Sequence, residues 1–322
     1  MKITNTEAKK ICADFSLGEF KSIKPIKGGL SNFNFSLKTS KGEFVVRGIG
    51  QKITPNKKER LTTEFNVMEF LTKKKFPYFV PLPIKNIEGK RLHQINNKDF
   101  WVYEKIPGKS IIKFSGQRES RQVRELAKAL ATYHKYVGRF QTKESGFQNY
   151  LKWVLEITEA INPKKPIDKT DKLALKEKEF FKEIILQGIK QNYSKNILPL
   201  HSDLDPSNVL FKGDKIIAII DFDDLEYGPR ARDVAISIRD TCTIKNKLDK
   251  ERVKTFLKEY EKINSLTKDE KEVIPFLMLV ENAGFFSWVY GSMKKEKQNR
   301  YKYMLEMSRL SYNIIKDYLR RK

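Results

Sequence analysis

The octapeptide HSDLDPSN, residues 201–208, places an imidazole (His201), two carboxylates (Asp203, Asp205) and a carboxamide (Asn208) within one short stretch. An apolar run precedes it, and the apolar run KIIAIIDF follows, carrying Asp221 and leading into Asp223. Asp, Asn, Ser and Pro are ordinary turn formers, so the composition of the stretch alone says little. The spacing says more. NVLF and KIIAIIDF across KGD read as a hairpin. Such a hairpin could bring the Asn208 oxygen and the Asp221 carboxylate to one point and hold Asp203 nearby. A hard cation such as Mg²⁺ takes one or two carboxylates, an amide oxygen and substrate phosphates, so the arrangement suits Mg-nucleotide chemistry.

The elements around the octapeptide fall into two textures. Residues 20–105 read mostly as strand: FNFSL (33–37) and EFVVR (43–47) flank a turn at Gly42, and FWVYE (100–104) is a third aromatic and β-branched run. Between them, Leu61, Phe65, Met68 and Leu71 recur at helical spacing, which predicts one helix packed on that sheet. Beyond KIPGKS the pattern turns helical. Val123, Leu126, Leu130, Tyr133 and Val137 share a face that stops at Gly138, and further helices are predicted near 172–190, 248–262, 270–290 and 297–320. INPKKPIDKT (161–170) reads as an exposed loop.

At 322 residues the chain can bury a sizeable core in two lobes. Cys12 and Cys242 are too few and too far apart for a disulfide framework, which suits a reducing, cytoplasmic setting. Neither a signal-peptide pattern nor an apolar stretch approaching a membrane span is expected, so the chain should be soluble with no membrane partner. The formal charge of +24 attracts polyanions. Lys is spread along the whole chain without a nucleic-acid-binding signature, so a solvated basic surface is the plainer reading. Three histidines and two cysteines make no zinc site. His134 is expected in the core and His93 in solvent. The aromatic residues of AGFFSWVYGS, Trp288 and Tyr290 among them, read as core, with a pocket wall as the alternative.

His201-Ser202-Asp203-Leu204-Asp205-Pro206-Ser207-Asn208 resembles the H-x-D-L-x-x-x-N catalytic loop of the kinase fold, and IIDFDD resembles its D-F-G segment. EYGPRARDVA follows almost at once. In this the chain is similar to the superfamily of aminoglycoside phosphotransferases, homoserine kinases and choline kinases, which are protein-kinase-like small-molecule kinases. The resemblance implies an α+β, two-lobed fold: an N-terminal lobe, 1–105, with a small antiparallel sheet and one helix over ATP, and a larger, mostly helical catalytic and substrate-binding lobe, 106–322. It implies Asp203 as the catalytic base toward a small-molecule hydroxyl substrate, and Asn208 and Asp221 as ligands of Mg²⁺. His201 and Asp233 would support the loop. Gly28, Gly29, Ser31 and Asn32 would cover the ATP phosphates, Arg47 would bind them with Glu64 as its ion-pair partner, and backbone groups of Glu104 and Ile106 would meet adenine.

Several positions depart from that pattern. Arg47 stands for a lysine, Ser202 for a common glycine, and Asp223 for the glycine of D-F-G, while Asp224 adds a further carboxylate. SNVLF and the N-terminal half are similar to homoserine kinases. Choline or ethanolamine kinase is the next reading, although Phe222 stands where those usually show Trp, and aminoglycoside modification is a third. A protein kinase would need an activation segment for which DLEYGPRARDVA leaves no room. A basic nucleic-acid-binding pseudokinase is the alternative of another class, favoured only by charge.

Overall fold

Alternation of apolar and polar residues sets the first sheet. β1 (Phe20–Pro25), β2 (Phe33–Thr39), β3 (Glu43–Gly48), β4 (His93–Ile95) and β5 (Lys98–Glu104) pair antiparallel in the order β1-β2-β3-β5-β4. Along β2 and β3, Phe35, Leu37, Phe44 and Val46 turn to one face, where they join Phe100 and Val102 of β5. The helix α1 (Asn5–Asp14) covers that face with Ala8, Ile11 and Cys12, and a Thr4–Glu7 capping box starts it. Sequence reasoning did not foresee α1, whose apolar positions are sparse among lysines. On the other face Arg47 lies in register with Trp101, and α2 (Pro55–Lys73) packs there through Phe65, edge-on to Trp101 at 5.4 Å.

The structure, a computed structural model, describes residues 2–26, 32–50, 53–110, 120–141, 144–163, 168–191, 193, 196–244 and 247–293. The expected phosphate-covering residues Gly28, Gly29 and Ser31, and the helix expected at 297–320, lie outside the described residues. Two compact units form: Met1–Gly108 with Ile217–Asp223, and Lys109–Ile216 with Asp224 onward.

The second unit is helical, with α3 (Ser120–Val137), α4 (Phe147–Glu159), α5 (Lys169–Ile189), α6 (Arg230–Cys242), α7 (Lys250–Glu261) and α8 (Lys268–Ser292). The expected loop at 161–170 is shorter than the sequence suggested, because Ile161 is buried and Asp168 caps α5. Short strands β6 (Ile197–Leu200) and β9 (Glu226–Pro229) pair antiparallel. Gly228 is required there: a Cβ would meet a methyl of Leu200 at 2.8 Å. Between them runs the hairpin β7 (Val209–Lys212) and β8 (Lys215–Ile219), turned by Gly213 at φ 60°. Thus β6 delivers the chain to the octapeptide, and β9 delivers it to α6.

Two expectations are corrected. His93 is not solvated: Asp14 Oδ2 lies 2.9 Å from Nε2, Asn86 Nδ2 lies 3.1 Å from Nδ1, and Phe15 and Phe100 pack against the ring edge-on. Among the described residues, one helix, α8, is long and apolar enough by length and composition to cross a membrane. Its most apolar window is 72% buried within the protein, so that apolarity serves the core.

Candidate active site

In the second unit, α6 supplies the frame of the octapeptide. Every residue of α6 is buried, and Asp233, Ser237 and Asp240 recur at four and three residues, on one face. Asp233 Oδ2 accepts the His201 amide at 2.8 Å, and Oδ1 accepts the Ser202 amide at 2.7 Å. One turn on, the Ser237 hydroxyl donates to the Leu204 carbonyl at 2.7 Å. Ser202 has φ 63°, a left-handed conformation that costs a residue with a Cβ but fits the glycine expected there.

Behind Asp233 sits His134 of α3. His134 Nε2 is 3.0 Å from Asp233 Oδ2, and Nδ1 is 2.7 Å from the Tyr260 hydroxyl. Burial lowers the His134 pKa, which leaves the imidazole neutral near pH 7. Burial also pushes Tyr260 up, so its hydroxyl keeps its proton. One tautomer satisfies both contacts: Nε2–H donates to Asp233 and Nδ1 accepts from Tyr260. Burial opposes the Asp233 charge, yet the His134 hydrogen bond and the loop amide hold its pKa below the usual carboxylate range.

Within the loop, Asn208 Nδ2 donates to the Asp203 carbonyl at 2.8 Å and to Asp203 Oδ2 at 2.7 Å. The amide therefore fixes the Asp203 carboxylate, and its Oδ1 is left as the acceptor end. Asp205 closes the turn by accepting the Ser207 amide at 2.6 Å. Oxygens of Asp203, Asp205 and Asp240 lie within 4.8 Å of one another. His201 is fully buried, with Nδ1 3.4 Å from the Asp203 amide.

The first unit holds a different cluster. Arg47, 6% exposed, places Nη2 2.6 Å from Asp221 Oδ1 and 2.6 Å from Asp223 Oδ2. Its guanidinium lies over Trp101, 6.0 Å from the ring centroid. Asn32 Nδ2 donates to Asp223 Oδ2, and Arg60 Nη2 donates to the Asp223 carbonyl at 3.1 Å. Asp221 adopts φ 66° immediately before the fully buried Phe222, which fixes the direction of its carboxylate. Burial works against the Arg47 charge, but Asp221 and Asp223 outweigh it and raise the pKa.

Glu64 does not make the ion pair expected of it. It is buried on α2 and feels the Arg47 charge, but the guanidinium is turned to Asp221 and Asp223. Burial, helped by the Asp223 charge, pushes the Glu64 pKa up to about 8. Asp223, read from sequence only as a replaced glycine, thus joins the cluster. Glu104 ends β5 opposite Phe44, and Ile106 follows in the connecting segment, with the Lys105 amide donating to the Glu43 carbonyl at 2.9 Å.

His134 as the partner of Asp233, Tyr260 as the partner of His134, and Asp240 beside Asp203 were missed in the sequence. For Asp240 a signal existed in its helical spacing from Asp233. For Tyr260, 126 residues from His134, there was none. Each unit by itself carries an oxygen donor of the kind a hard divalent cation accepts: Asn208 Oδ1 in the second, and in the first Asp221, whose side chain is 34% exposed.

A family model described as the phosphotransferase enzyme family matches residues 22–266. A homoserine kinase of Rhizobium meliloti (strain 1021) is 26% identical over 289 residues, covering 88% of this chain and 83% of that protein. One of Janthinobacterium sp. (strain Marseille) is 26% identical over 273 residues, covering 84% and 80%. Among solved structures, an amicoumacin kinase in complex with AMP-PNP, Ca²⁺ and Ami is similar at TM-score 0.69 and 17% identity, covering 92% of this chain and 91% of that one. A microcompartment-associated aminopropanol kinase reaches TM-score 0.69 at 14% identity, covering 99% and 98%. These structural likenesses carry the α+β, kinase-like fold.

Proposed function

This chain belongs to the phosphotransferase enzyme family and is a small-molecule kinase, and from that premise we propose that it transfers the γ-phosphoryl group of ATP to the hydroxyl of homoserine. The observation that carries the reading is the Asp203 carboxylate, fixed by the Asn208 amide on a loop whose backbone is pinned by Asp233. A carboxylate so placed serves as the base that accepts the substrate hydroxyl's proton. Asn208 orients it, and Asp233 with His134 keeps the loop from moving, so little reorganisation accompanies proton transfer.

Asn208 and Asp221 are the proposed residues for Mg²⁺. When bound, the ion neutralises phosphate charge and aligns the phosphoryl group. Arg47 is the proposed positive charge for phosphate, which a guanidinium binds through planar, paired donors. Gly28, Gly29, Ser31 and Asn32 are proposed to cover the phosphates, and backbone groups of Glu104 and Ile106 to meet adenine.

Homoserine is favoured among hydroxyl substrates by the curated relatives of that name, whose coverage runs through both units. The test is ADP release from MgATP across homoserine, choline, ethanolamine, threonine and an aminoglycoside. An Asp203-dependent rate with homoserine well above all others supports the reading. A preference for choline or an aminoglycoside moves the substrate and keeps the chemistry. Turnover unchanged in Asp203→Asn removes the mechanism.

A further inference from the structure

Arg47 meets two carboxylates with a single nitrogen. Its Nη2 stands 2.6 Å from both Asp221 Oδ1 and Asp223 Oδ2, whereas a guanidinium pairs best through two parallel N–H bonds to one partner. Its Nε, in a side chain more than nine-tenths buried, has no hydrogen-bond partner. The guanidinium therefore acts there as a point cation, at the cost of a buried donor left without an acceptor.

The charges of the cluster are also out of balance. Asp221 and Asp223 share this one guanidinium, and Arg60 Nη2 meets Asp223 at its carbonyl. Asp221 is one-third exposed, so a small ion can reach the pair from solvent. Two carboxylate oxygens converging on one positive centre are what a hard divalent cation accepts.

We propose that Asp223 joins Asp221 as a ligand of the divalent cation, and that the cation and the Arg47 guanidinium compete for the same two carboxylates. The inference rests on the phosphotransferase reading for the identity of the ligands, a divalent cation with a nucleotide. Displaced from the carboxylates, Arg47 has its whole donor fork, Nε included, for the phosphates. Asp223 thereby couples cation binding to release of the phosphate-binding arginine, a role that the glycine of D-F-G lacks.

The test is Mn²⁺ affinity of the full chain, read by electron paramagnetic resonance without nucleotide and again with AMP-PNP. Asp223→Asn should weaken Mn²⁺ binding at least about tenfold, as loss of a charged ligand requires. Asp223→Glu should retain most of the affinity, and Arg47→Met should tighten nucleotide-free Mn²⁺ binding by removing the competitor. Circular dichroism confirms that each variant is folded, and Asp223→Glu carries the test if Asp223→Asn is not. Mn²⁺ affinity within twofold of wild type in Asp223→Asn, or no gain in Arg47→Met, overturns the proposal. Either result alongside Asp203-dependent phosphoryl transfer overturns only this inference, while wild type that binds Mn²⁺ as described but never turns over overturns only the reading it rests on.

Discussion

Around Asp233, three donors meet two carboxylate oxygens, and the neutral His134 is satisfied at both nitrogens. Around Arg47, one nitrogen serves two carboxylates, Nε has no partner, and Glu64 is buried with its pKa pushed up. Both clusters hold charge out of water, so the difference lies in what each is for. A satisfied network fixes one geometry and stabilises it. An unbalanced one is held in place by the surrounding sheet and helix, and its missing interactions are those a ligand would supply.

The sharpest way to separate framework from chemistry is Asp203→Asn. It keeps the size of the side chain and leaves the bonds of Asp233 untouched, so the unfolding midpoint should hardly move. Turnover should fall by about 10³-fold, the scale of a lost general base. Steady-state kinetics with parallel thermal melts would check both.

Asp233→Asn attacks the framework instead. Replacing a carboxylate that accepts from two backbone amides and a buried imidazole should cost about 3 kcal/mol, as for other broken buried polar pairs. Denaturant unfolding reads this loss; a change below about 0.5 kcal/mol would mean that the loop is held by something else.

The two clusters should also respond to pH with opposite sign. The folded pKa of Asp233 lies below its unfolded value, so its contribution is present at neutral pH and lost as pH falls. Glu64, raised to about 8, binds a proton in the folded state that the unfolded chain has released. Its contribution is fully present below the unfolded pKa and is lost as pH rises toward 8. Glu64→Gln cannot titrate, so relative to wild type it should become steadily more stable between pH 5 and 8, by at most about 1.4 kcal/mol per pH unit. Denaturation midpoints that run parallel across this range would show that Glu64 is ionised throughout.

The smallest effect expected is at Ser202. Its left-handed backbone and its buried hydroxyl, which has no hydrogen-bond partner, both disfavour serine. Ser202→Gly should stabilise the protein by about 1 kcal/mol without altering turnover, measured by chemical denaturation.

How much of this was legible in the sequence follows the same division. The octapeptide and Asp221 could be read because their spacing is local, set by a short loop and a hairpin whose turn needs Gly213. The sheet, α2 and α3 followed from apolar periodicity. The Asp233–His134–Tyr260 chain could not be read, since it joins α6, α3 and α7 and is created only by packing. The partner of Arg47 was misassigned for a related reason. Sequence order offered Glu64, but charge competition within the folded unit favours Asp221 and Asp223, which arrive 174 and 176 residues later in the chain.

The most direct measurement is the rate of ADP release from MgATP by the wild-type protein, with and without homoserine. We expect a rate that saturates with homoserine, exceeds that with choline, ethanolamine or an aminoglycoside, and disappears in Asp203→Asn. A homoserine rate equal to the background ATPase rate, or one that survives Asp203→Asn unchanged, would contradict the proposed reaction.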